Sequence, residues 1–230
     1  MKNANLTATL AALLCIGTVA RADTTNYNFS VGLAIPDNDP NGLANRQVVS
    51  SAIVQITNIT VSLTVSGGAS GAWNGDYFAY LSHSSGYAVL LNRPGKTASN
   101  PFGYSDSGFN NVTFNDAATG DVHTYRYTLF GNDTTPLSGP LTGSWRPDGR
   151  EIDPAFVVDT DPRTALLSSF RGLDPNGEWT LFLSDLSAGS DGVLVSWNLR
   201  VWGVVPEPSS HLLLLAGLPM LWWMLRRRKA

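Results

Sequence analysis

The residues of this chain best suited to chemistry are oxygen donors. Asp37-x-Asp39-x-Asn41-Gly42 has the D-x-D-x-N-G start of a calcium loop, in which side-chain oxygens at alternate positions converge on a hard cation. An EF-hand also requires a bidentate Glu at the twelfth position, where Val48 stands, and Pro36 and Pro40 disfavour flanking helices. The segment reads either as a non-EF calcium site on Asp37, Asp39 and Asn41, or as a Pro- and Asn-rich turn leading into a strand. Asp153, Asp159 and Asp161 occupy an acidic loop open to the same two readings. Calcium is thus the one cofactor the pattern admits. Zinc is disfavoured, because Cys15 is the only cysteine and the histidines are dispersed.

Nucleophilic catalysis finds little support. Of the three histidines, His211 lies near the C-terminus, His83 falls in an expected turn and His123 precedes an expected strand; the plain reading of the last two is as surface residues. Serines are plentiful, but no G-x-S-x-G elbow is present. Glu151 and Glu178 stand among many aspartates, with no spacing that picks out a glycosidase pair. The expectation is a protein without catalytic residues. Trp73 and Trp145 flank loops, where an indole can stack on a sugar or plug the end of a β-sheet core.

The elements that must position these residues are strands. Trp179, Leu181 and Leu183 alternate with Thr180, Phe182 and Ser184. Val193, Val195, Trp197, Leu199 and Val201 alternate with Leu194, Ser196, Asn198, Arg200 and Trp202. Period-two alternation of this length predicts two strands, each with an apolar face that an opposing sheet must cover. Gln47 to Ser66 is the clearest further strand, with Ile59, Val61, Leu63 and Val65 on one face. Tyr77 to Leu81, Tyr87 to Leu91 and Phe109 to Asn115 follow, separated by Gly-, Ser- and Asn-rich turns, and Thr124 to Phe130 again alternates aromatic or apolar with polar residues. The fold class predicted is all-β: an antiparallel β-sandwich of jelly-roll type.

A family resemblance runs through these elements. G-x-W-T-L-x-x-x-D followed by G-x-L-x-x-W-x-L, carried by Gly177, Trp179, Thr180, Leu181, Asp185, Gly192, Leu194, Trp197 and Leu199, resembles the end of the P domain (P/Homo B domain) of subtilisin-like proprotein convertases. Ile35-Pro36-Asp37-Asn38, Gly75-Asp76, Ser85-Gly86, Asn115-Asp116, the Gly143–Pro147 segment and Phe170-Arg171-Gly172 resemble further parts of it, over roughly Ile35 to Gly203. Tyr77 stands where that family has Leu, and His83-Ser84 where it has Ser-Pro. The resemblance implies an accessory module that stabilises a neighbouring serine protease and is not itself catalytic. This chain carries nothing resembling the subtilisin catalytic blocks.

The ends read as processing segments. Met1 to Ala22 has a basic start, an apolar run and an Ala20-Arg21-Ala22 cleavage box, the pattern of a secretory signal peptide handled by signal peptidase. Val204 to Ala230 contains Pro206-Glu207-Pro208, an apolar stretch, and Arg226-Arg227-Arg228-Lys229. It resembles the PEP-CTERM sorting signal of exopolysaccharide-producing Gram-negative bacteria, which implies an exosortase and a short transmembrane helix before processing. The sandwich domain is then Asp23 to Gly203. Without leader and tail, the body keeps nine basic and seventeen acidic residues, net −8, which argues against nucleic acid and fits an exported protein that binds cations. The expected location is an inner-membrane intermediate, then the cell surface or extracellular matrix. The expected role is structural, adhesive or partner-binding, with docking on a separate serine endopeptidase and carbohydrate binding, for instance to exopolysaccharide, as alternatives.

Overall fold

The computed structural model describes residues 20–68 and 71–206; the apolar part of the leader, Glu207, Pro208 and the basic tail lie outside them. Among the described residues nine strands follow one another: β1 (Ala20–Ile35), β2 (Asp39–Val49), β3 (Gln55–Gly67), β4 (Tyr77–His83), β5 (Gly86–Asn92), β6 (Phe109–Phe114), β7 (Ser144–Trp145), β8 (Gly177–Asp185) and β9 (Gly192–Pro206), with a short helix, α1 (Tyr125–Phe130), between β6 and β7. They form two sheets, ordered β1-β9-β3-β6-β7 and β2-β8-β4-β5. Residues Ala22–Val205 make one compact unit.

The alternation explains the layers. Ile59, Val61, Leu63 and Val65 of β3 and Leu194, Trp197, Leu199 and Val201 of β9 face Tyr77, Ala79 and Leu81 of β4 and Trp179, Leu181 and Leu183 of β8 in one buried core. A fully buried Leu or Val side chain contributes ~1.5–3 kcal/mol, so this face holds the sheets together. Trp179 anchors one end, its ring stacked on His83 at 4.2 Å and tilted against Phe170 at 5.0 Å, while its indole N–H donates to the Pro175 carbonyl (2.8 Å).

Four expectations are corrected. The strand expected from Gln47 to Ser66 is two strands in different sheets. The chain crosses over at 50–54, where Asn176 holds the corner by accepting from the Ser51 N–H (2.6 Å) and donating to the Ile53 carbonyl (3.1 Å). Thr124 to Phe130 is not extended: Asp121 accepts from the His123 N–H to open a turn (2.9 Å), and Gly131, at φ 72°, closes α1. The alternation of β9 slips. The register with β3 shifts between Thr64 and Val65, so Leu194 is buried whereas Val195 is 38% exposed. Both body histidines are buried rather than on the surface.

Candidate functional site

His123 is fully buried. Its Nδ1 lies 2.8 Å from Asp148 Oδ2 and its Nε2 lies 2.8 Å from the Lys96 carbonyl. Burial pulls its pKa down, but the hydrogen bond and charge of Asp148, helped by the Lys96 carbonyl, outweigh that and leave it raised despite the nearby Arg150. Both ring nitrogens are engaged, one by a carboxylate and one by a carbonyl, so the imidazole braces the fold and offers neither nitrogen to a serine. The ring nitrogens of His83 lie beside the carbonyls of Glu178 (2.8 Å) and Asp174 (2.7 Å). Neither histidine is positioned as a general base.

Trp145 is a core residue, 5% exposed, with its indole N–H bonded to the Thr142 carbonyl (2.8 Å). Its expected alternative, sugar stacking, is thereby closed; Trp73 remains 47% exposed. Asp153 Oδ1 and Asp161 Oδ2 shape their loop, accepting from the Ala155 and Val158 N–H groups (2.8 Å each).

Asp37 and Asn38 form the tight turn between β1 and β2, with Asn38 at φ 49°, and Asp39 to Asn41 open β2. Asp39 accepts from both the backbone N–H and the side-chain amide of Asn41 (2.8 and 2.9 Å), so these two bond to each other. Asp37 points the other way, accepting from the Gly189 N–H in the β8–β9 loop (3.1 and 3.2 Å). It acts electrostatically on Asp76, Tyr77 and Asp185. Three aspartates that carry the sequence resemblance, at 37, 76 and 185, therefore gather at one end of the sandwich. Among the described residues no three carboxylate, imidazole or thiol groups are already arranged to hold a metal ion.

A groove opens on the outer face of the four-stranded sheet. It has a volume of about 550 Å³ and is lined by Phe78, Tyr80 and Phe182, with Asn38, Arg93, Asp153 and Ser184 among the polar groups. Register places the aromatics together: Tyr80 pairs with Phe182 across β4 and β8, and Phe78 is two residues away on the same face. Tyr80 and Phe182 stack at 4.8 Å, Phe78 meets Phe182 at 6.5 Å, and Tyr87 extends the cluster from Tyr80 at 5.2 Å. Arg93 sits in the left-handed region (φ 50°), a costly backbone for an arginine. It is held by its Nε–H to the Gly75 carbonyl (3.0 Å) and its Nη2 to Ser187 Oγ (3.1 Å). Sequence reasoning missed this groove. Its one local signal is Phe182, an aromatic residue on the otherwise polar side of an alternating strand.

The fold and these sites describe an all-β module of two facing sheets. No family model matches the chain, and no curated protein matches it. Among solved structures it is similar to the serine protease of Aeromonas sobria, at 14% identity and a TM-score of 0.42, covering 80% of this chain and 27% of that one. It is similar also to the serine protease of Aeromonas sobria in complex with the chaperone ORF2, at 15% identity and a TM-score of 0.42, again covering 80% of this chain and 27% of that one. The chain thus spans about a quarter of the length of the chains it resembles.

Proposed function

We propose that the protein is an exported, non-catalytic β-sandwich module that adheres to carbohydrate, with the groove over Phe78, Tyr80 and Phe182 as its contact surface. The groove itself carries this reading. Its volume of about 550 Å³ falls in the size class of sites for small ligands or a few units of a polymer. Aromatic side chains offer apolar surface to the C–H faces of sugar rings, and Asn38, Arg93, Asp153 and Ser184 offer hydrogen bonds to hydroxyls along the rim. The way both buried histidines are engaged is consistent with a module that binds without cleaving.

The leader and the sorting tail belong to the same proposal: passage through signal peptidase and exosortase, then residence at the surface or in the polysaccharide matrix of a Gram-negative bacterium. The deciding experiment is binding of the purified protein to exopolysaccharide and to a glycan array. Binding weakened at least tenfold by Tyr80→Ala or Phe182→Ala, and unchanged by Trp73→Ala, is the expected result. A blank array together with no retention on exopolysaccharide overturns it. The proteolysis-linked alternative, supported by the sequence resemblance, would be favoured instead if the protein raised the melting temperature of a co-produced serine endopeptidase.

A further inference from the structure

The end of the sandwich where the β1–β2 turn, the 3-10 turn Asn74–Asp76 and the β8–β9 loop meet carries more negative charge than its partners neutralise. Asp185 is fully buried at the end of β8, and Asp76 is 3% exposed. Asp37 and Asp191 both act electrostatically on Tyr77 between them. Among the described residues the cation supplied to this cluster is Arg93, whose Nη2 stays 3.8 Å from Asp76 Oδ1 and is bonded to Ser187 Oγ. Among the described residues, Asp185 Oδ1 accepts a 3.2 Å bond from the Ser187 N–H and Asp185 Oδ2 has no partner.

A second, independent group points to the same place. The Tyr77 hydroxyl is fully buried and also lacks a partner. Tyr77 pairs directly with Asp185 across β4 and β8. Gly192 leaves room for the hydroxyl, since a Cβ there would collide with it. A buried carboxylate oxygen and a buried hydroxyl, both unsatisfied and both under the influence of further carboxylates, are costly unless a ligand reaches them. Burial first, then the neighbouring carboxylates, also raise the pKa of Asp185, and burial raises that of Asp76.

We propose that this end of the sandwich binds a calcium ion through the carboxylates of Asp76 and Asp185, with Asp37 closing over it from the turn. The available donors are oxygens, which selects a hard cation over zinc or copper. Ligands drawn from three separate segments suit the larger and geometrically tolerant calcium ion better than magnesium. Two carboxylates leave several positions to neutral oxygens and water. This differs from the D-x-D-x-N-G reading of the turn, because Asp39 and Asn41 are occupied with each other and take no part.

The test is thermal melting of the purified protein, stripped with EGTA, in the presence of calcium, magnesium or neither, with terbium luminescence sensitised by Tyr77 as a direct readout of occupancy. At a hundredfold excess of calcium over its dissociation constant, the melting temperature should rise by about 5–10 °C. The rise and the terbium signal should be lost in Asp185→Asn and retained in Asp39→Ala. Asp76→Asn serves as a second variant should Asp185→Asn fail to fold, and should lose both readouts too. Absence of any calcium effect on the wild type overturns the proposal. So does an effect that survives both amide variants, or one lost only in Asp39→Ala, which would place the ion in the turn.

Discussion

Replacing Asp185 by Asn should stabilise the calcium-free protein at neutral pH. Burial is the main reason its carboxyl group is pushed up to about 6 from the ordinary 3.8; Asp76 and Asp37 add to this, while the Ser187 N–H and Arg93 oppose it. A carboxyl group whose folded-state pKa is raised keeps its proton longer in the folded chain than in the unfolded one. Its contribution is therefore fully present below pH 3.8 and is lost as pH rises through about 6. At ~1.36 kcal/mol per pH unit, the interval corresponds to a ceiling of ~3 kcal/mol; water at the end of the sandwich screens part of this, leaving ~1–3 kcal/mol. The amide oxygen of Asn keeps the bond from the Ser187 N–H, and its NH₂ group supplies a donor beside the carboxylate of Asp76. In EGTA the variant should match the wild type near pH 4 and melt about 2–12 °C higher at pH 7, taking 2–4 °C per kcal/mol for a chain of this size. The assay is differential scanning fluorimetry of both proteins across that pH range. A variant that is less stable at pH 7, or a difference that does not grow between pH 4 and pH 7, would refute the claim that an uncompensated charge is buried there.

Other outcomes follow from other parts of the molecule. Arg126→Met should cost ~3–5 kcal/mol in chemical denaturation, because it removes the guanidinium bonded to both oxygens of buried Asp106 (2.7 and 2.9 Å) and leaves that carboxylate to Tyr125 and the Leu137 N–H. Leu181→Ala, at the centre of β8, should cost ~2–5 kcal/mol by opening a cavity between the sheets. His123 has a raised pKa, so its stabilisation is complete below pH 6.5 and is lost as pH climbs through its folded-state value. The melting-temperature gap between wild type and His123→Gln should accordingly shrink as pH rises above 6.5. Phe182→Ala, on the outer face, should leave the melting temperature nearly unchanged while weakening polysaccharide binding, as calorimetry on both properties would show.

Strands that repeat apolar residues at every second position were legible in the chain because burial on one face is a local, periodic demand. β3 is the clearest case: Ile59, Val61, Leu63 and Val65 are all buried as their spacing requires. Legibility failed wherever a distant partner set the geometry. The crossover at 50–54 depends on an asparagine more than 120 residues away, and no period within the chain announces it. The slip in β9 is fixed by its register against β3. The histidines looked peripheral because polar turns surround them in sequence, yet one lies on Trp179 and the other on Asp148 once the sheets close. The groove was hidden for a related reason. Phe78, Tyr80 and Phe182 each occupy the outward phase of a strand, and only the pairing of β4 with β8 makes three scattered rings into one surface.

The acidic end and the groove share their framing residues, which puts the two proposed sites at one corner of the sandwich. Asp37 and Asn38 are adjacent in one turn; the first faces Asp76 and Asp185, and the second lines the groove. Ser184 and Leu186 line the groove on either side of Asp185. Arg93 lies between the two, contributing to the groove while its guanidinium reaches toward Asp76 and Ser187. Its left-handed backbone places it there, and that conformation persists because the Arg93 N–H donates to the Tyr77 carbonyl (2.8 Å) and Nε–H is bound to Gly75. A cation on Asp76 and Asp185 would thus sit directly behind the residues that shape the groove. The charge that costs stability in the empty protein would then fix the turn, the arginine and the β8 terminus in one arrangement. This follows the pattern in which local instability is concentrated where a ligand is to be held.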